Sequence, residues 1–183
     1  MNPELVEKLL AIHRALKAHS LPHAFGGAIA LAYCVEEPRG TRDLDVNIFI
    51  DASDAARALE ALPDGVRVSK DDVETVKREG QTRLFWDGVP VDVFLNNLPL
   101  HDEVANGVLW VPLGEEQIPV LDCASLVVFK ALFNRARDWG DIEEVAETTP
   151  GDVEAAAKTV AGLVGEGDPS YRRLAEIAAA NQP

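Results

Sequence analysis

Cysteine, long apolar runs and positive charge are all scarce in this chain of 183 residues. The two cysteines, Cys34 and Cys123, lack the spacing of metal ligands, so we expect them to be reduced, buried thiols. No apolar run approaches the length that spans a bilayer. The N-terminus is patterned as an amphipathic helix, without the basic start and cleavage site of a signal peptide. These absences predict a cytoplasmic protein with no membrane segment.

The shortage of positive charge limits the partners that the protein can bind. Its 17 Lys and Arg residues stand against 31 Asp and Glu residues, which gives a formal net charge of −14. This excess argues against broad, nonspecific binding to nucleic acid, so a polyanion would need a local basic patch. The residues that could form one are Arg67, Lys70, Lys77, Arg78 and Arg83. Acidic residues lie among them, which also fits a solvated face of mixed charge.

Apolar residues make up 47% of the sequence, which is enough to bury a core. Strand patterns fill the first two-thirds of the chain and helix patterns fill the last third. This order predicts an α+β protein with a core over residues 1–121 and a C-terminal helical part over residues 122–183.

The apolar spacing and the turn residues predict the individual elements. These are a helix over 5–16, a short strand that turns at Gly26 into a second helix, a strand over 43–51, helices over 52–62 and 72–78, a hairpin over 81–96, a strand pair over 107–121, and helices after Asp122, Thr149 and Asp168.

Two local patterns fix the expected register. In the strand over 43–51 the core face is formed by Leu44, Val46, Ile48 and Ile50. In the hairpin, Asp87-Gly88 is a two-residue turn signal that pairs Trp86 with Val89 and places Arg83 opposite Asp92.

Three carboxylates lie in otherwise apolar strands. Asp43 and Asp45 are two residues apart and therefore share one strand face, and Asp92 lies in the later strand VPVDVFL. Adjacent negative charges are unfavourable unless a cation lies between them. Carboxylate oxygens suit Mg²⁺, and two such ions can activate an attacking oxygen and neutralise a phosphate. Asp92 would complete the metal site or act as general base for an incoming hydroxyl.

Simpler interpretations of these carboxylates stay open. Asp43 and Asp45 could be an acid pair at a strand end, held by Arg39 or Arg42. Asp92 could be one half of a cross-strand ion pair with Arg83, as the hairpin register allows.

Gly26 and Gly27 precede a predicted helix. Glycines at such a place let the backbone approach a phosphate, and a helix start offers free amide groups. A plain tight turn is the alternative, and the position of the pair about 16 residues before the aspartate pair favours the phosphate interpretation.

Taken in order, the glycine pair, the apolar helix, the segment R-x-T-x-D-L-D and the later V-D-V strand resemble the nucleotidyltransferase superfamily of the polymerase-β kind. The resemblance implies a mixed β-sheet flanked by helices, with Gly26 and Gly27 at the triphosphate. It also implies that Asp43, Asp45 and Asp92 bind Mg²⁺. Gly27 stands where many members have serine.

A second resemblance comes from the segment that contains Lys130, Arg135, Arg137, Asp138 and Asp141. The string K…R-x-R-D-W-x-D-I is similar to the C-terminal motif of the AbiEii-type nucleotidyltransferase toxins, whose relatives include the MenT-type transferases. By that likeness Lys130 holds the triphosphate and Asp141 supports the nucleotide or Lys130.

These last residues also have alternatives. Lys130 could snorkel to water without a function, and Asp141 could cap the next helix. Arg39 could assist at the phosphates or could pair with Glu36 or Glu37. For Asp138 and Arg135 we expect surface pairing.

The predicted function is Mg²⁺-dependent transfer of a nucleoside monophosphate from an NTP to an acceptor hydroxyl. The resemblance implies the 3′ end of tRNA as acceptor, growth inhibition as outcome, and an antitoxin protein as partner. An aminoglycoside-type small molecule would suit the acidic chain better electrostatically. A noncatalytic nucleotide-binding or antitoxin-like module is a further alternative, although no carboxylate of the set is missing.

Overall fold

The computed structural model describes residues 2–97 and 100–181. The chain divides into two compact units, one of Met1–Ile29 with Gly40–Leu121 and one of Ala30–Arg39 with Asp122–Pro183. Residues 30–39, which the sequence assigned to the core, therefore group with the C-terminal helices.

The elements follow in chain order: α1 Pro3–Ala18, β1 His23–Phe25, α2 Gly27–Leu31, β2 Leu44–Asp51, a 3₁₀ turn Ala52–Asp54, α3 Ala55–Glu60, α4 Lys70–Glu79, β3 Gln81–Trp86, β4 Val89–Asn96, α5 Leu100–Asn106, β5 Leu109–Leu113, β6 Glu116–Val120, α6 Cys123–Phe133, α7 Ala136–Thr148, α8 Pro150–Val164 and α9 Pro169–Ala180. Helices α5 and α7 had no counterpart in the sequence-based prediction. None of the helices in the described ranges is both long and apolar enough to cross a bilayer.

One mixed sheet lies in the first unit, in the order β3-β4-β2-β1-β6-β5. The pairs β2–β4 and β1–β6 are parallel, and the other three pairs are antiparallel. The predicted α+β class with a mixed sheet and flanking helices is confirmed.

The hairpin β3–β4 has the predicted register. Trp86 pairs with Val89 and Arg83 pairs with Asp92. Asp87 and Gly88 both have positive φ, +48° and +83°, as a two-residue turn that follows the twist of the strands requires.

Strand β2 buries its predicted core face from Leu44 to Ile48. Leu44, Val46 and Ile48 have no exposed surface, whereas Ile50 is half-buried because the strand ends at the next residue. On α1, the side chains Leu9, Ile12 and Leu16 are fully buried. Burying each such side chain stabilises the fold by roughly 1.5–3 kcal/mol.

Two histidines form a buried pair in the first unit. His23 Nδ1 lies 2.8 Å from the Leu21 carbonyl oxygen, and His23 Nε2 lies 2.9 Å from His13 Nδ1. A carbonyl oxygen only accepts, so His23 carries its proton on Nδ1 and its Nε2 accepts from His13. This arrangement requires a neutral His23 ring, because a protonated Nε2 would have no lone pair with which to accept. Burial lowers the pKa of His23 to about 4 and also lowers the pKa of His13.

We expect this pair to make stability depend on pH. The unfolded chain binds a proton at His23 below its ordinary pKa of about 6.5, and the folded chain does so only near 4, so stability rises with pH across that window. Between pH 7 and pH 4 the loss at His23 is about 3 kcal/mol. Urea denaturation of the protein and of His23→Phe at both pH values measures it. From pH 7 to pH 4 the parent protein should lose more unfolding free energy than His23→Phe, by the amount given above. Equal losses in the two proteins would contradict the assignment.

The C-terminal unit contains α6 to α9. Asp122 caps α6 by accepting from the Ser125 amide at 2.6 Å, and Asp168 caps α9 by accepting from the Ser170 amide at 2.8 Å. Helix α6 ends at Phe133, its C-cap residue Asn134 has a left-handed φ of +54°, and α7 starts at Ala136. Asp141 lies inside α7, so the alternative that it caps a helix is wrong.

Cys34 and Cys123 form a disulfide across 89 residues of sequence. The expectation of two reduced thiols is therefore wrong. The spacing of the two cysteines in the sequence does not predict the disulfide, because they meet only once the segment 30–39 packs with the C-terminal helices.

Candidate active site

Strands β2 and β4 bring two of the predicted carboxylates together. They are parallel neighbours, and Asp45 and Asp92 are paired in register. Registered residues on adjacent strands point to the same face of a sheet, about 4.8 Å apart. Asp92 therefore lies on the same face as Asp45, which the metal hypothesis requires.

The glycine turn closes directly over Asp45. The Gly26 amide donates to the Asp45 carbonyl oxygen at 2.9 Å. Gly27 has a φ of +52°, and a Cβ there would lie only 2.6 Å from Asp45 Cγ. Both the backbone conformation and the contact exclude a side chain at residue 27. Only glycine therefore fits at residue 27.

Asn47 belongs to this site and was missed from the sequence. It follows Asp45 on the same strand face, is 5% exposed, and its side-chain amide donates to the Ala24 carbonyl at 3.5 Å. A Cβ on Gly26 would lie 3.1 Å from its Nδ2. Asn47 therefore supports the glycine turn. The period-two spacing of residues 43, 45 and 47 was the available signal.

Asp43 lies just before β2 and is half-buried. The Thr41 hydroxyl donates to its carboxylate. A local side chain thus fixes this carboxylate at the start of the strand.

Arg83 binds Asp92 through two parallel hydrogen bonds, both 2.7 Å long. The Asp92 side chain is 16% exposed and that of Arg83 is 53% exposed. The hydrogen bonds to Asp92 raise the pKa of Arg83, and the charges of Asp43 and Asp45 raise it further. Arg83 therefore interacts electrostatically with all three carboxylates. The cross-strand ion pair with Asp92 that the hairpin register allows is present.

The residues present can be tested for their fit to Mg²⁺. Within residues 2–97 and 100–181, no three His, Cys, Asp or Glu side chains are grouped closely enough to hold a metal ion. Asp92 is turned to Arg83, and Asp43 is bonded to Thr41. Strand register and oxygen donors fit Mg²⁺. A shared site would require Asp92 to rotate away from Arg83.

The C-terminal unit contains its own charge network. Lys130 is 4% exposed, and its Nζ lies 2.5 Å from Asp141 and 3.7 Å from Asp138. Arg39 donates to both oxygens of Asp141, at 2.7 and 2.8 Å. Burial alone would raise the pKa of Asp141, but the hydrogen bonds from Arg39 and Lys130 lower it overall. Asp138 pairs with Arg135 at 2.7 Å as expected, and the Arg135 side chain is exposed, but Asp138 itself is buried.

We expect Lys130→Met to destabilise the protein by about 3 kcal/mol, because it leaves Asp138 and Asp141 buried with fewer partners. Lys158→Met is the matched control, since Lys158 forms an exposed pair with Glu154 and should cost less than about 1 kcal/mol. Urea denaturation compares the two. Equal stability of both variants would contradict a structural role. A rise in the KM for NTP at unchanged stability would support the predicted role of Lys130 at phosphate.

Gly27→Ala tests the close approach of the turn to Asp45. The added methyl group must displace the Asp45 side chain and strain the backbone, at a cost of about 1–3 kcal/mol. Gly88→Ala is a useful control, because φ is also positive there but nothing lies within 4 Å of the added Cβ. If thermal denaturation shows the same loss for both, backbone strain alone explains it and the contact with Asp45 is not important.

No family model matches the sequence, and no curated protein sequence matches it. Solved structures do match. A protein from H. pylori, provisionally described as a nucleotidyltransferase, has a TM-score of 0.52 and 16% identity, with 99% of this chain and 96% of that chain covered. JHP933 from Helicobacter pylori has a TM-score of 0.51 and 16% identity, covering 98% and 90%. ANT(2″)-Ia, solved with adenylyl-2″-tobramycin, has a TM-score of 0.53 and 13% identity, covering 97% of each chain.

The chain has the nucleotidyltransferase fold. The likeness extends over nearly the whole length of both partners in each comparison, so it covers the first unit and the C-terminal helices alike. In this nucleotidyltransferase fold, Asp45 and Asp92 occupy neighbouring parallel strands beside the glycine turn.

Proposed function

We propose that this protein transfers a nucleoside monophosphate from an NTP to an acceptor hydroxyl and releases pyrophosphate. The observation that carries the proposal is the registered pair Asp45 and Asp92, beside a side-chain-free turn at Gly26 and Gly27, on a nucleotidyltransferase fold. The pair with Arg83 accounts for Asp92 structurally, whereas the glycine turn that closes over Asp45 has no such explanation.

Mg²⁺ would be held by Asp43, Asp45 and Asp92, and would neutralise the phosphates and acidify the attacking hydroxyl. The chain's own groups do the positioning. Gly27 leaves the space above Asp45 free of a side chain, so that phosphate can approach the backbone. Asp92, once released from Arg83, accepts the proton of the acceptor hydroxyl. Arg83 lies on the edge strand β3, so after it releases Asp92 its guanidinium would still lie near the carboxylates and could bind an anionic group of the substrate.

For the acceptor we favour a cationic, hydroxyl-bearing small molecule of the aminoglycoside type. The net charge of −14 attracts a cation and repels a polyanion. Three of the five residues that could face RNA are paired with carboxylates: Lys77 with Glu74, Arg78 with Glu79, and Arg83 with Asp92. A structural neighbour, ANT(2″)-Ia, was solved with an adenylylated tobramycin.

The 3′ end of tRNA is the second candidate. It is supported by the likeness of the segment from Lys130 to Ile142 to the AbiEii-type toxins, and it would bring a toxin role and a cognate antitoxin. Buried ion pairs account for Lys130 and Asp141 without a nucleotide, which weakens this support.

The deciding experiment incubates the purified protein with MgCl₂ and each radiolabelled NTP in turn. One set of reactions contains tobramycin and another contains total tRNA. Label on tobramycin supports the favoured acceptor, and label on tRNA supports the second. Absence of transfer to either, with NTP binding retained in equilibrium dialysis, would replace both by a noncatalytic nucleotide-binding module.

A further inference from the structure

A cavity of about 270 Å³ opens in the first unit, away from the carboxylates. His13, Lys17, His23, Phe49, Val108 and Trp110 contribute to its lining. His23 pairs with Ile48 on β2, and Phe49 is the next residue of that strand. Phe49 lies four residues from Asp45, or roughly 13 Å along the strand, so the cavity is separate from the proposed nucleotide site.

The histidine pair determines which polar atom faces the cavity. The Leu21 carbonyl fixes the proton of His23 on Nδ1, and His23 Nε2 then fixes the proton of His13 on Nδ1. The remaining nitrogen, His13 Nε2, carries a lone pair, and no group in the described part of the chain donates to it. His13 lines the cavity, so this nitrogen can accept from the N–H or O–H group of a ligand bound there.

The electrostatics of the cavity differ from those of the whole chain. Its lining includes no Asp or Glu, although acidic residues outnumber basic ones by 31 to 17. Lys17 is exposed and, within the described ranges, has no carboxylate within 4 Å of its ammonium group, while Glu116, the nearby acid that senses the charge of Lys17, is paired with Arg14. His13 and Lys17 are four residues apart on α1, so their Cβ atoms lie about 6 Å apart on one helix face. A ligand with a hydrogen-bond donor and an anionic group on opposite sides of one aromatic ring would match the spacing of His13 and Lys17.

The apolar walls favour a flat ligand. Phe49 is buried, whereas Trp110 is 57% exposed, an unusual burial state for the largest apolar side chain. The Trp110 ring already makes an edge contact with His13 at 5.9 Å between centroids. An aromatic ring between Trp110 and Phe49 would cover exposed indole surface and bring its substituents to both polar groups.

We propose that this cavity binds a small aromatic carboxylate that carries a hydroxyl or N–H donor. The donor bonds to His13 Nε2, the carboxylate faces Lys17, and the ring lies against Trp110. The site is independent of nucleotidyl transfer, so its presence or absence leaves the proposed function unaffected.

Isothermal titration with 4-hydroxybenzoate tests the proposal. Benzoate and 4-methoxybenzoate lack the donor and should bind roughly fivefold more weakly, and phenol lacks the carboxylate and should also bind more weakly. No heat at millimolar 4-hydroxybenzoate, or equal affinity for the methoxy compound, would overturn the proposal.

Substitutions of exposed residues test the site without the risk of misfolding. Lys17→Gln should weaken 4-hydroxybenzoate by roughly threefold and Trp110→Ala by roughly tenfold, while Lys70→Gln on α4 should leave its affinity unchanged. Equal affinity for all three variants and the parent protein would place any binding elsewhere. Nitrogen-15 NMR of the histidine rings should show His13 protonated on Nδ1, and the opposite tautomer would also overturn the assignment.

Discussion

Asp45→Asn is expected to lower nucleotidyl transfer by roughly 10²- to 10³-fold while leaving the protein folded. The amide keeps the shape of the side chain, so its packing beneath Gly27 is retained. It removes the negative charge from the pair with Asp92, and an amide is a poorer ligand for a divalent cation. The rate of release of labelled pyrophosphate, at saturating NTP and acceptor, measures the effect.

The control for this variant is Asp54→Asn. Asp54 is exposed, makes no capping hydrogen bond, and follows the same strand by only a few residues. We expect full activity from it. If Asp45→Asn retained more than about a tenth of the parent rate at unchanged thermal stability, the carboxylate pair would not be the centre of the reaction.

Removal of the disulfide is expected to cost about 4–5 kcal/mol of unfolding free energy. Cys34 and Cys123 close a loop with a sequence separation of 89, and a link of that length restricts the unfolded chain strongly. The double variant Cys34→Ser, Cys123→Ser should therefore melt roughly 10 °C lower than the oxidised protein. Differential scanning calorimetry with and without dithiothreitol provides the measurement.

The reductant is also the control for this experiment. It should lower the melting temperature of the parent protein to about that of the double variant and should leave the double variant unchanged. Thiol titration of the denatured, oxidised protein should find no free thiol, and two free thiols would contradict the link. Disulfides persist in oxidising compartments, so a protein kept in a reducing cytosol would show the lower stability.

Local sequence signals predicted much of the fold and part of the site. The Asp87-Gly88 turn fixed the hairpin register, because two adjacent residues with positive φ have few sequence solutions. Alternation along β2 identified its apolar core face, whereas the opposite face carries Asp45 beside the buried Asn47 and Phe49. In both cases the information lies within a few residues of chain, where pattern and structure coincide.

Contacts between distant segments could not be predicted in this way. Arg39 and Asp141 are 102 residues apart, and Cys34 and Cys123 are nearly as far. Their partners depend on how the segment 30–39 packs against helices, which no local pattern encodes. The cavity at His13 and His23 has the same origin, since it draws on α1, β2 and residues beyond α5.

The position of Arg83 has a consequence for the resting protein. Its guanidinium acts as an internal counter-ion for Asp92 in the folded chain before any ligand arrives. Strand β3 is an edge strand, and Arg83 is largely solvated. Arg83 can therefore release Asp92 by rotating its side chain, while every backbone hydrogen bond of the sheet stays intact. Because the pair is bidentate and the Asp92 side chain is only 16% exposed, the vacated carboxylate would need a new positive partner.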